Sequence, residues 1–218
     1  MLVPPTEDSR GTNISARFIP TCILLFIGIV LSVSAAITPY LPGDLLITGW
    51  VQSLATPWID RTIVAVSSLS DTPAAITTTV LIAIALWIRG QWRKGVAFLG
   101  MMILEAFLQL LKLLIGRPRP SVELVTILEL SSTSSFPSGH TYHAVVFGGL
   151  VLALLVVAIQ HSWVRRIVIA IVGCWILVSG VSRVYLGVHW PSDVLGSVVL
   201  GIPSVTLLTH LGRRSREV

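Results

Sequence analysis

The sequence predicts an all-α protein, a polytopic membrane helical bundle with six transmembrane helices and short interfacial helices. Three observations carry that prediction. Apolar residues make up 54% of the 218-residue chain and charged residues only 11%, with a mean hydropathy of +0.87, so water is not its main solvent. Apolar runs long enough to cross ~30 Å of hydrocarbon recur along its length. The basic residues collect at the ends of those runs, so the net charge of +5 and pI near 9.9 speak of membrane orientation and not of a nucleic-acid partner.

The first run, Phe18 to Ala36, follows Glu7, Asp8, Arg10 and Arg17 without a small-residue cleavage site, and is expected to be a retained span. Thr38-Pro39-Tyr40-Leu41-Pro42-Gly43 then breaks the helix. Between residues 44 and 71, Asp44, Asp60, Arg61 and Asp71 lie too close together for a clean span. Leu46, Trp50 and Leu54 recur there at helical spacing, which fits either an amphipathic helix in the interface or one packed on the bundle. Pro73 to Ile88 is the second span, short unless it extends back toward Ile63. The turn Arg89 to Lys94 leads into the third, Val96 to Ile115.

A loop rich in Pro, Ser and Thr follows over residues 116 to 140. The fourth span runs from Tyr142 to Ile159, the fifth from Ile167 to Val181 after the turn His161 to Arg166, and the sixth from Val194 to Thr209. One domain is expected over residues 1–218, with its core at about 72–211. Cys22 and Cys174 lie in separate apolar runs and form neither a disulfide framework nor a metal spacing. No metal and no cofactor are expected.

Ten of the fifteen basic residues fall on one side of this layout: Arg10, Arg17, Arg89, Arg93, Lys94, Arg165, Arg166, Arg213, Arg214 and Arg216. The positive-inside rule makes that side cytoplasmic and places both termini there. The other five, Arg61, Lys112, Arg117, Arg119 and Arg183, lie near the opposite face, where positive charge has no topological purpose.

Three clusters at that face carry chemistry. Lys112 ends the third span, Gly116 is its expected C-terminal stop, and Arg119 follows between two prolines that keep the chain extended. Pro137-Ser138-Gly139-His140 opens the fourth span, where free backbone N–H groups make an anion site. Ser182-Arg183 ends the fifth span. His189 follows in the loop and Asp193 in the first turn of the sixth, where a carboxylate suits the helix dipole, stays ionised and can accept from the imidazole. Three cations, two imidazoles, a carboxylate and a helix N-terminus converging on one point suit a phosphate and the charge of its five-coordinate transition state.

The pattern K-x6-R-P, P-S-G-H and S-R-x5-H-x3-D, matched at every fixed position between Lys112 and Asp193, resembles the signature of the type 2 phosphatidic acid phosphatases. That superfamily also includes the vanadium haloperoxidases. The resemblance implies a metal-independent membrane lipid phosphatase. His189 would be the nucleophile, forming a phosphohistidine, Asp193 its partner, and His140 the acid and then the base. Lys112, Arg119, Ser138, Gly139 and Arg183 would hold phosphate. A vanadate-dependent haloperoxidase would normally be soluble, which six spans oppose. A non-enzymatic phospholipid carrier using the same pocket would need cations but not an acid, a base and a nucleophile.

Glu105, Gln109 and Lys112 share one face of the third span, where an unpaired carboxylate is expensive, so Glu105 and Gln109 are expected either to support Lys112, to line a polar cavity floor, or to bond between helices. His143, one turn after His140, is expected to bond a neighbour or touch substrate. Arg117 reads as a solvated loop cation, with contact to a headgroup as the alternative. The expected partners are the lipid bilayer and a membrane lipid phosphate: undecaprenyl pyrophosphate, phosphatidylglycerophosphate or phosphatidic acid. The expected location is a bacterial inner membrane with the active site on the extracytoplasmic face.

Overall fold

A computed structural model describes residues 8–68 and 72–213, and every described element in it is helical. The predicted basic tail at Arg214 and Arg216, and Asp71, lie outside the described residues. Eight α-helices follow in order: α1 (Asp8–Ile37), α2 (Asp44–Gln52), α3 (Pro57–Ser68), α4 (Thr72–Ile88), α5 (Trp92–Ile115), α6 (Gly139–Leu150), α7 (Ser162–Tyr185) and α8 (Pro191–Gly212). Helix α6 continues through a π-helical stretch, Val151–Leu155, and a 3₁₀ turn, Val156–Ala158.

Five of these segments are long and apolar enough to cross a membrane: Ile19–Ile37, Trp92–Ile115, Gly139–Ala158, Ser162–Tyr185 and Pro191–Gly212. The second predicted span is the shorter apolar helix of Pro73–Ile88. At 1.5 Å per residue it is about 25 Å long, less than the ~30 Å hydrocarbon core. The predicted turns shrink as well. Trp92 to Lys94 and Ser162 to Arg166 are helical, so α7 starts five residues before the expected Ile167 and runs on to Tyr185.

Helix α8 is the centre of the bundle and packs on α6, α1 and α5. Its contact with α6 is close because glycines face branched side chains. A Cβ on Gly201 would stand 2.7 Å from Val145 Cγ1, and one on Gly149 2.5 Å from Val205 Cγ2. Around that seam Phe98, Met101, Tyr142, Val146, Leu150 and Leu208 form the largest buried apolar cluster. Large side chains such as Phe26, Ile103, Phe107 and Leu177 point outward, the arrangement of helices whose outer solvent is lipid.

Helix α2 lies against the bundle and keeps its apolar stripe outward. It packs on α7 and α8 through buried Asp44, Thr48 and Val51, and turns Leu46, Trp50 and Leu54 away from the bundle. Two side chains tie this region to the C-terminal end of α7. Gln52 Nε2 donates to Thr126 O at 2.7 Å and Tyr185 O at 3.0 Å, and the Tyr185 hydroxyl donates to Asp60 of α3 at 2.5 Å. The end of α5, the start of α6, the end of α7 and the start of α8 thus meet at one end of the bundle. The α4–α5 turn, the α6–α7 turn and the end of α8 lie at the other.

Candidate active site

Helix ends supply most of the site. Gly116 adopts φ 64 as the C-cap of α5 and donates to Lys112 O at 3.0 Å. A residue with a side chain rarely takes that conformation. The cap stops the helix just past Lys112, whose side chain is buried against the site. The α5–α6 loop then carries Arg119, which donates through Nε to Thr133 O at 2.6 Å, through Nη2 to Thr133 Oγ1 at 3.0 Å and through Nη1 to Val188 O at 2.5 Å. The same Nη1 lies 3.5 Å from His189 Nε2.

The loop between α7 and α8 aims that imidazole. Val188 and His189 both donate backbone N–H groups to Arg183 O at 3.2 Å, and Gly187 supplies the turn at φ 70. Asp193 follows in the first turn of α8, where its Oδ2 accepts from Trp190 N at 2.8 Å as part of a capping box. His189 Nδ1 lies 3.4 Å from the same oxygen. Arginine can only donate, so the ring nitrogen beside Arg119 is the one with the lone pair, which assigns the imidazole proton to Nδ1, facing Asp193. Burial, followed by the charges of Arg119 and Lys112, lowers the His189 pKa from 6.5 to about 4 against the opposing pull of Asp193. At neutral pH this histidine is an uncharged base with Nε2 unprotonated.

Lys112, Arg119, Gly139, His140 and Arg183 line one cavity of about 360 Å³ together with Glu105, Gln109 and His143. The remaining predicted phosphate ligand, Ser138, sits at the helix start next to the cavity-lining Gly139. Its hydroxyl is buried at the N-cap of α6, accepting from Thr141 N at 3.4 Å and Thr141 Oγ1 at 3.0 Å. Glu105 Oε1 contacts His143 Nδ1 at 2.7 Å, joining α5 to α6 while both side chains stay at the cavity.

Two features escaped the sequence. Glu129, from the α5–α6 loop, stands at the cavity wall 3.4 Å from Arg183 Nη1 and accepts from Ser67 at 3.0 Å; Ser67 also accepts from Arg183. The second is a correction: Arg117 is not a solvated cation but one of the most deeply buried side chains, 1% exposed. Its Nη2 pairs with Asp44 at 3.0 Å and its Nη1 with Asp193, while Nε donates to Pro39 O at 3.2 Å. The available signal was its position among five basic residues at a face where charge has no topological use.

The family model described as the PAP2 superfamily matches residues 94–217. The chain belongs to the PAP2 superfamily. It is 27% identical over 185 residues to phosphatidylglycerophosphatase B of Bacillus subtilis (strain 168), covering 84% of this chain and 89% of that protein. It is 34% identical over 137 residues to the undecaprenyl-diphosphatase BcrC of the same organism, covering 60% of this chain and 66% of that one. Among solved structures, a transmembrane PAP2-type phosphatidylglycerolphosphate phosphatase from Bacillus subtilis superposes with a TM-score of 0.76 at 26% identity, covering 88% of this chain and 95% of that one. These PAP2 relatives are membrane lipid phosphatases, which places this chain among integral membrane phosphatase homologues.

Proposed function

We propose that the protein hydrolyses a phosphate monoester or diphosphate of a membrane lipid through a phosphohistidine at His189. The observation that carries this reading is an imidazole held between the Asp193 carboxylate and the Arg119 guanidinium, beside a cavity lined by Lys112, Arg183 and the start of α6. His189 Nε2 attacks phosphorus in line, and the bond from phosphorus to the leaving oxygen breaks, which is the lipid oxygen of a monoester or the bridging oxygen of a diphosphate. His140 gives that oxygen its proton, while Asp193 steadies the imidazolium that develops. His140 then takes a proton from water. The resulting hydroxide attacks phosphorus, the P–N bond breaks and inorganic phosphate leaves.

Lys112, Arg119 and Arg183 offset the charge that grows on the equatorial oxygens, so the reaction needs no metal. The Gly139 backbone faces them from α6. Ser138 caps that helix start as an acceptor, which leaves its O–H to donate to phosphate, and Glu105 and Gln109 form the polar floor. The whole chain acts as one domain with six spans. The helix of Pro73–Ile88 crosses a locally thinned bilayer as the second span, both termini are cytoplasmic, and the site opens at the outer face of a bacterial inner membrane. The substrate lies among phosphatidylglycerophosphate, undecaprenyl pyrophosphate and phosphatidic acid, and the two named relatives favour the first two.

Purified protein in vesicles containing each lipid in turn is expected to release phosphate from at least one, with EDTA present throughout. Acid-labile ³²P is expected to be trapped on the parent and absent from His189→Ala. Phosphate release by His189→Ala at the parent rate would overturn the assignment. Tight lipid binding without turnover in the parent would make the protein a carrier.

A further inference from the structure

Arg117 and Asp44 lie outside the lining of the cation-bearing cavity and outside the fixed positions of the signature, yet their network ends on the carboxylate behind His189. Asp44 is 2% exposed, Arg117 1% and Asp193 0%, so the three charges interact with almost no water between them. Asp44 Oδ1 accepts from Ser192 N at 2.9 Å, and its Oδ2 from Leu41 N at 2.7 Å, Ser192 Oγ at 2.7 Å and Arg117 Nη2 at 3.0 Å. Arg117 Nη1 donates to Ser192 Oγ at 2.8 Å and to Asp193 Oδ1. Asp193 Oδ2 accepts from Ser135 Oγ and Trp190 N and is the oxygen 3.4 Å from His189 Nδ1.

Two buried carboxylates share the Arg117 guanidinium, and the second comes from α2, which packs on α7 and α8. An arginine paired with Asp193 alone would cancel the charge on which the imidazolium depends. With Asp44 added, Arg117 can fix the Asp193 carboxylate in place while the three groups together keep one net negative charge.

We propose that Arg117 and Asp44 are positioning residues for the His189 reaction: Arg117 orients Asp193, and Asp44 offsets the Arg117 charge so that Asp193 still stabilises the imidazolium. The kinetic consequences rest on the phosphatase reading, but the effect on the imidazole itself does not. The other charges bearing on His189 are Arg119 from the α5–α6 loop and Lys112 from α5, with Arg183 and Glu129 beyond Arg119 and His140 on the facing wall. None of these is altered by the substitutions below.

The two residues are expected to move His189 in opposite directions. Asp44→Asn leaves an uncompensated cation beside Asp193, which disfavours imidazolium, so the His189 titration and the acid limb of kcat/KM move to lower pH. Arg117→Gln leaves two carboxylates and moves both to higher pH. The double variant Asp44→Asn/Arg117→Gln restores the charge balance and returns the titration close to the parent value. Each single variant is expected to lower kcat about 10- to 100-fold, the size that loss of an outer partner of a functional histidine produces, with KM within about threefold because neither residue lines the phosphate cavity.

The experiment is lipid-phosphate kinetics on the full chain in nanodiscs, together with a ¹⁵N-histidine NMR titration in which His189 is assigned by its loss in His189→Asn. Titration shifts of the same sign in both single variants, or none in either, would overturn the proposal. So would a rise in KM with kcat unchanged. If a single variant does not yield monodisperse protein, the double variant decides, and parental kcat there rejects the positioning role. If the parent releases no phosphate, the phosphatase reading fails, and the signs of the titration shifts still decide this one.

Discussion

His189 shows how an apolar bundle prepares a base. Removal from water and two nearby cations disfavour imidazolium, and one carboxylate favours it; with its pKa lowered to about 4, the first set prevails. The neutral form is therefore available throughout the physiological range, and the acid limb of kcat/KM is expected near pH 4. Stability follows the same sign. The folded value lies below the ordinary 6.5, so the unfolded chain binds more protons between about pH 4 and 6.5, and the contribution of this group is full above that window and lost as pH falls through it. Urea titrations at pH 7 and pH 4.5 are expected to show a fall for the parent that is smaller in His189→Asn. An acid limb at pH 6.5 in the purified enzyme would mean that the imidazole is solvated.

At the scale of elements, the site depends on how four helix ends and two loops are trimmed. Gly187 is the sharpest case: it adopts φ 70, and a Cβ there would lie 2.2 Å from Thr126 O, in the loop that Gln52 also holds. Gly187→Ala is expected to cost about 1–3 kcal/mol for the backbone conformation alone, and more for the collision with a carbonyl. Because His189 is two residues away, kcat should fall further than stability does. Unfolding curves and phosphate release on one preparation check this, and equal, small changes in both would show that the loop yields.

The helix ends themselves were legible in the sequence because each is written locally: Gly116 after Lys112, Ser138 before His140, Pro191 before Asp193. The Asp44 to Arg117 pair was not, since 73 residues separate its members and no period or motif links them. Nor was the link from Thr141 to the Ser138 oxygen, since the sequence does not say which donors an N-cap serine accepts from. The stripe of Leu46, Trp50 and Leu54 was read correctly as one face, but the inward face of Asp44, Thr48 and Val51 is what joins α2 to the site.

For the whole molecule, the directions of the helices place all four site-bearing ends together and the Arg89, Arg93, Arg165 and Arg166 ends opposite. If the positive ends are cytoplasmic, the lipid phosphate must be met at the outer face, and substrate in the inner leaflet alone would be out of reach. This makes orientation a functional variable that labelling can read directly. In a background with Cys22 and Cys174 replaced by serine, a cysteine at Gln91, in the α4–α5 turn, is expected to react with an impermeant maleimide only after the cells are opened. One at Glu123, in the α5–α6 loop, is expected to react on intact spheroplasts. Both positions are surface loops and neither touches the cavity, so activity serves as the check that the fold is intact. The reverse labelling pattern in an active variant would place the site in the cytoplasm and require its lipid phosphate to be one made and consumed on the inner leaflet.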